Sequence, residues 1–319
     1  MQYSFGVFGA LIVLGVIVYY YFQKKGGVSG PTFNGSGTPA LNSFSRDFTE
    51  LARKDKMDPV IGRDQEIDQL AIILSRRTKN NALLIGEAGV GKTTIVEGLA
   101  QNIIGRKIPA VLNNKRVLAL DLNALVAGTK YRGEFESRIK RMLEEIERSQ
   151  RNIILFIDEF HNVLAMEDSG ESLSVGDILK PAMARGELQV IGATTPLEYE
   201  KYLQADPALR RRLQPLFVRE PSEQETLRIL RGIKNKYEEF HEVKIADLAL
   251  QKCVEQSKKI FPDRAFPDKA IDLMDEAASK VKLMAVKKAS KRAISVQARD
   301  IIGVASQYAG TINIRESEI

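Results

Sequence analysis

The chain has 319 residues, 44% hydrophobic and 28% charged, enough for roughly two domains with real cores. Its 47 basic against 41 acidic residues leave a net charge of +6, too mild an excess on a highly charged surface to imply a nucleic-acid partner. A single cysteine, Cys253, excludes an internal disulfide, and two distant histidines, His161 and His241, give no zinc spacing.

In chain order, the first feature is an uncharged apolar run over residues 3–22. As a helix it spans roughly 30 Å, one bilayer core. Tyr19, Tyr20 and Tyr21 cluster at one end like an interfacial belt, and Lys24 and Lys25 follow at once. No Lys or Arg precedes the run, so the positive-inside rule places the bulk of the chain in the cytoplasm. A cleaved signal peptide would need a basic start and a shorter apolar core, and neither is present. Residues 1–23 therefore read as one transmembrane helix and 24–45, rich in Gly, Ser, Thr, Asn and Pro, as a flexible tether.

From Arg46 the pattern turns globular. Residues 64–77 place Ile67, Leu70, Ile73 and Leu74 on one helical face. Five short apolar runs then alternate with helical stretches, at 82–85, 117–122, 153–157, 188–193 and 216–218. The clearest helix lies over 133–147, where Phe135, Ile139, Met142, Leu143 and Ile146 share a face. This alternation predicts an α/β domain over 46–220, a parallel five-stranded sheet covered on both faces. After Glu220 the strands stop. Ser222 and Glu225 have the spacing of a capping box, opening a helix to Lys236, and helical patterns continue over 247–259 and 267–291. The expectation is a small all-helical domain over 221–295 and a C-terminal segment over 296–319. Cys253 falls in a helical stretch and reads as a small buried side chain. Lys280, Lys282, Lys287, Lys288, Lys291 and Arg292 read as a solvated basic face.

The first strand runs straight into Gly86, Glu87, Ala88, Gly89, Val90, Gly91, Lys92, Thr93 and Thr94, the G-x-x-x-x-G-K-T spacing. Glycines at those positions let backbone N–H groups wrap phosphate oxygens. Lys92 reaches the β- and γ-phosphates, and the Thr93 hydroxyl holds Mg²⁺. A helical stretch follows over 94–100 and would point its positive end at the phosphates. The third strand ends in Asp158 and Glu159. Downstream of a phosphate loop, such a pair supplies a Mg²⁺ ligand and a group that polarises the attacking water. The fourth strand ends in Thr194 and Thr195, placing a polar side chain between those acids and the γ-phosphate. Arg210, Arg211 and Arg212 precede the fifth strand; they form a solvated face or reach a neighbouring subunit's ATP.

From about Phe48 to Ser279 the chain resembles the first ATPase domain of the Clp-type AAA+ unfoldases, of the ClpB and ClpC kind. The residues that carry this are 58–63 (DPVIGR), the phosphate loop, 118–128 (LALDLNALVAG), 130–136 (KYRGEFE), 179–182 (LKPA), 184–188 (ARGEL), 191–195 (IGATT) and 267–273 (PDKAIDL). The resemblance implies an ATP- and Mg²⁺-dependent ATPase with a helical lid. It further implies a homo-hexameric ring that threads unfolded or misassembled protein through its centre. It assigns Lys92 and Thr93 to phosphate and Mg²⁺, Asp158 and Glu159 to the second Walker motif, and Thr195 to the sensor after the fourth strand. Arg211 and Arg212 match the finger pair, Pro59, Val60 and Ile61 the segment near adenine, and Tyr131 the pore-loop aromatic that grips substrate.

The departures are specific. Arg210 and Leu213 stand where the family often has Glu and Phe, and His161 reads as structural. Arg264 lies where other AAA+ domains place a sensor arginine. The family's adaptor domain, inserted coiled coil and second ATPase domain have no counterpart in the sequence, and residues 296–314 resemble the linker into that second domain. The expectation is a single-ring, membrane-anchored remodelling ATPase with its catalytic domain in the cytoplasm and no peptidase partner implied. The rival reading is a nucleotide-gated membrane scaffold that threads nothing.

Overall fold

The computed structural model describes residues 37–127, 132–165, 175–204, 206–287 and 294–317. The expected membrane anchor and most of the tether lie outside the described residues. Among the described residues, no helix is long and apolar enough to cross a membrane.

The sheet has six strands, in the order β1-β3-β4-β5-β2-β6. Strands β2 (Asn81–Ile85), β3 (Arg116–Leu120), β4 (Ile153–Ile157), β5 (Gln189–Thr194) and β6 (Leu213–Phe217) are mutually parallel. All five apolar runs are therefore strands, with ends shifted by a few residues. The sixth, β1 (Ser45–Asp47), pairs antiparallel with β3, Ser45 opposite Leu120 and Asp47 opposite Leu118. It corrects the tether reading, which ran to residue 45. A short helix, α1 (Pro39–Phe44), leads into β1, and Leu41 on it is fully buried. The Glu145 carboxylate accepts hydrogen bonds from the Ala40 and Leu41 amides at 3.0 and 2.9 Å, fixing the start of that helix. Arg116 pairs with Asp47 at 2.8 Å and holds β1 on the sheet edge.

Alternate strand residues feed two cores, as period-2 geometry requires. Leu83, Ile85, Leu118, Leu155 and Ile157 pack on one face against α6 (Arg132–Arg148) and α8 (Val175–Arg185). Ala82, Leu84, Val117, Ile154 and Phe156 pack on the other against α2 (Phe48–Arg53), α3 (Asp64–Leu74) and α4 (Lys92–Ile104). Short helices α5 (Leu122–Val126), α7 (Asn162–Ala165), α9 (Pro196–Glu198) and α10 (Pro207–Arg210) decorate the strand ends. Burial on both faces explains why the strands read as continuous apolar runs.

The C-terminal domain contains α11 (Glu223–His241), α12 (Asp247–Ile260), α13 (Asp268–Lys287) and α14 (Ala298–Ser317). Ser222 and Glu225 form the expected capping box, with Glu225 Oε2 accepting from the Ser222 amide at 2.8 Å. The domain is not purely helical: β7 (Lys244–Ile245) and β8 (Ser295–Val296) pair in parallel. Two residues each are too few for a periodic sequence signal. Val296, Ile301 and Val304 are buried with Leu250, Leu273 and Met274, so α14 completes this core although the sequence suggested a linker there. Cys253 lies in the same core, where burial pushes its thiol up to about 12, so it stays protonated and inert. In the basic stretch, Lys280 donates to Gln307 and Lys282 pairs with Glu242, while residues 288–293 lie outside the described residues.

Candidate nucleotide site

Strands β4, β5 and β2 are neighbours, so their carboxyl ends meet along one rim, the usual ligand crevice of an open parallel sheet. The loop from β2 to α4 is shaped by its glycines. Gly89 and Gly91 have φ of +84° and +94°, a region L side chains rarely adopt. A Cβ at Gly86 would lie 2.6 Å from the Val218 carbonyl oxygen, so only glycine fits there. Gly91 caps α4, leaving the first amides of that helix aimed into the loop.

Lys92 Nζ donates to the carbonyls of Gly86 and Glu87 at 2.7 and 2.9 Å. Burial lowers the pKa of this ammonium, and the nearby Asp158, Glu87, Glu198 and Glu159 carboxylates offset it only in part. Thr93 Oγ1 donates to Asp158 Oδ2 at 3.0 Å, joining α4 to the end of β4. Glu159 has a φ of +48°, uncommon for a residue with a side chain, and its amide donates to Asp158 Oδ1 at 2.9 Å. Asn162 Nδ2 donates to Glu159 Oε2 at 2.9 Å. At the end of β5, Thr195 caps α9 in a reciprocal box with Glu198.

These groups surround one cavity of about 1060 Å³. Ala88, Gly89, Gly91, Lys92, Thr93 and Thr94 line it from the loop, Asp158, Glu159 and Thr195 from the strand ends. Gly86, Glu87 and Val90 belong to the same loop without lining the cavity, Gly86 and Val90 buried and Glu87 exposed. The remaining sequence candidates lie elsewhere. Pro59, Val60 and Ile61 do not line the cavity. Val60 faces Gly98 on α4, where a Cβ would meet it at 3.2 Å, and Ile61 lies on Gly232 of α11. That segment therefore bridges the α/β domain and the helical one. Arg211 and Arg212 are exposed between α10 and β6 and do not line the cavity. Tyr131 lies outside the described residues, immediately before α6.

Several contacts around the cavity went unread in the sequence. Arg63 is buried and donates from Nη2 to the Val90 carbonyl at 2.6 Å and to the Arg219 carbonyl at 3.1 Å, bracing the loop against the end of β6. Glu198 and His161 form a pair at 3.1 Å behind Thr195. Asp268, at the start of α13, lines the cavity from the helical domain; a Cβ at Gly89 would lie 2.7 Å from its own Cβ. Arg264 pairs with Asp268 at 2.8 Å and also with Asp272, so this arginine is tied up beside the cavity and does not line it.

The residues fit a nucleoside triphosphate with Mg²⁺. The loop presents amides and an ammonium to phosphate oxygens, and the Thr93 hydroxyl and Asp158 carboxylate are hard oxygen donors. Among the described residues no cluster of three His, Cys, Asp or Glu could hold a metal ion unaided. Mg²⁺ takes one or two protein oxygens and completes its shell with water and phosphate.

A phosphate loop, paired acids on a neighbouring strand and a polar residue on the next define a P-loop ATPase fold closed by a helical lid. Residues 82–220 match the ATPase family associated with various cellular activities (AAA), and residues 222–309 match the AAA lid domain. The chain carries a ClpB/ClpC-like AAA+ ATPase domain followed by its lid. It is 51% identical over 261 residues to the negative regulator of genetic competence ClpC/MecB of Bacillus subtilis, covering 82% of this chain and 32% of that protein. It is 53% identical over 257 residues to the chaperone protein ClpB of Oceanobacillus iheyensis, covering 81% and 32%. A closed-state structure of Hsp104 with ATPγS and FITC casein superposes with a TM-score of 0.75 at 44% identity, over 85% of this chain and 47% of that one. The chain spans about a third of the length of the curated relatives it matches.

Proposed function

We propose that the chain is an ATP-dependent protein-remodelling subunit that works as a homo-hexameric ring and threads unfolded or misassembled polypeptide. The observation that carries this reading is the gathering of Lys92, Thr93, Asp158, Glu159 and Thr195 on one cavity in a domain more than half identical to ClpC and ClpB. Lys92 and the loop amides bind the triphosphate, Thr93 and Asp158 hold Mg²⁺, and Glu159 takes a proton from the attacking water. Arg211 and Arg212, exposed and away from their own cavity, serve a neighbouring subunit's site. Tyr131 grips the threaded chain.

The apolar run over 3–22, followed by Lys24 and Lys25, supports anchorage in a membrane with the ATPase domain on the cytoplasmic side. Alkaline extraction should leave the full chain in the membrane pellet and release a form lacking residues 3–22; release of both forms removes the anchor from the reading.

The decisive experiment on activity is Glu159→Gln. The variant should bind ATP and fail to hydrolyse it; hydrolysis at the wild-type rate would overturn the catalytic assignment. Tyr131→Ala separates motor from scaffold: ATPase activity should persist while remodelling of a misfolded reporter protein is lost. If remodelling survives, threading by Tyr131 is excluded.

A further inference from the structure

We propose that Glu198 is a positioning residue that fixes the polarity of the Thr195 hydroxyl, so that Thr195 offers the attacking water a lone pair and not its proton. The inference rests on the ATPase reading of this cavity and adds to it a residue outside the Walker motifs.

The geometry is local and complete. Thr195 Oγ1 donates to Glu198 Oε2 at 2.6 Å. An ionised carboxylate only accepts hydrogen bonds, so the hydroxyl proton is committed to Glu198. The Thr195 amide donates to the same oxygen at 3.2 Å, and the Glu198 amide donates back to Thr195 Oγ1 at 3.4 Å. A hydroxyl has two lone pairs. One is taken by that amide, and the other remains for the cavity that Thr195 and Glu198 both line. Hydrogen-bond chains polarise one another, so a charged acceptor behind the hydroxyl makes it a better acceptor in front.

The carboxylate is itself pinned. His161 Nε2 lies 3.1 Å from Glu198 Oε1, and His161 Nδ1 lies 3.3 Å from Thr194 Oγ1. His161 is two residues beyond Glu159, so the ends of β4 and β5 are braced together through Glu198. Partial burial works against its charged form. The Thr195 hydrogen bonds, His161 and the Thr194 hydroxyl outweigh that and hold the carboxyl below its ordinary value.

In the hydrolytic step, one water proton passes to Glu159 and the water oxygen bonds to the γ-phosphorus. The bond to the β,γ-bridging oxygen breaks, leaving its electron pair on ADP. The second water hydrogen points at the Thr195 lone pair. A Thr195 hydroxyl turned the other way would donate to a phosphate oxygen and leave the water held by Glu159 alone.

The test is a double-mutant cycle of Glu198→Ala and Thr195→Val, reading kcat and KM for ATP. Glu198→Ala should lower kcat by up to roughly 10²-fold, the scale of a misplaced reacting group, with KM little changed. In the Thr195→Val background the same substitution should cost nothing further, because Glu198 acts through that hydroxyl. Glu198→Gln keeps an oxygen acceptor for Thr195 and should recover most of the rate. Equal loss in both backgrounds, or a raised KM with kcat retained, overturns the proposal. If Glu198→Ala no longer binds ATP, the cycle is run with Glu198→Gln, whose smaller loss should likewise vanish beside Thr195→Val. Glu159→Gln separates the two levels. If it hydrolyses normally, the site reading fails and this proposal with it. If it is inactive while the cycle is additive, only the role of Glu198 fails.

Discussion

Lys92 lies with its ammonium against two carbonyls of its own loop, where burial already disfavours the charged form. A triphosphate brings this desolvated cation the negative charge that the nearby carboxylates supply only in part, so Lys92→Ala should abolish ATP binding, read by titration with a fluorescent ATP analogue. Arg63 acts on the same loop from behind. Arg63→Met removes the donors of the Val90 and Arg219 carbonyls and should destabilise the protein by about 1–3 kcal/mol, visible as a lower urea midpoint. Such residues divide sharply in legibility. The phosphate loop, Asp158, Glu159 and Thr195 were readable because each follows an apolar strand at a fixed offset. Arg63 was not, because its partners lie 27 and 156 residues away. Glu198 was not read either: a Thr-x-x-Glu spacing is that of a helix cap, and nothing in it marks a hydroxyl's acceptor.

At the scale of elements, the five parallel strands and the long helices announced themselves through burial on both faces or one. The strands that were missed are those where periodicity has no room to develop. Strand β1 has three residues, β7 and β8 two each, and their places come from pairing partners elsewhere in the chain. Helix α14 was taken for a linker although its buried positions, Ile301 and Val304, have helical spacing. Its role can be measured. Ile301 is fully buried, so Ile301→Ala should cost about 2–5 kcal/mol in a denaturant titration, whereas a linker residue would leave stability unchanged. The segment at 59–61 is a second lesson. Resemblance pointed to adenine, while the described contacts of Val60 and Ile61 join the P-loop helix to α11, so this segment also ties the two domains together.

For the whole molecule, the exposed pair Arg211 and Arg212 sets the expectation that the active unit is larger than one chain. The double variant Arg211→Ala/Arg212→Ala and the single variant Lys92→Ala should each be inactive alone. Mixed together they should regain part of the ATPase rate, since some sites then combine an intact Lys92 with a neighbour's arginines; the trans contribution is worth roughly 10³–10⁵ in rate. A mixture that stays inactive would place the arginines in service of their own subunit.

The closeness of Gly89 to Asp268 has a consequence of another kind. The tip of the loop and the first turn of α13 in the lid lie so close that even one added methyl group on Gly89 would collide. An entering triphosphate brings several negative charges to a spot where the lid already presents a carboxylate, with Arg264 beside it as counterweight. The charge of the ligand and the seating of the lid thus bear on the same contact, between Gly89 and Asp268.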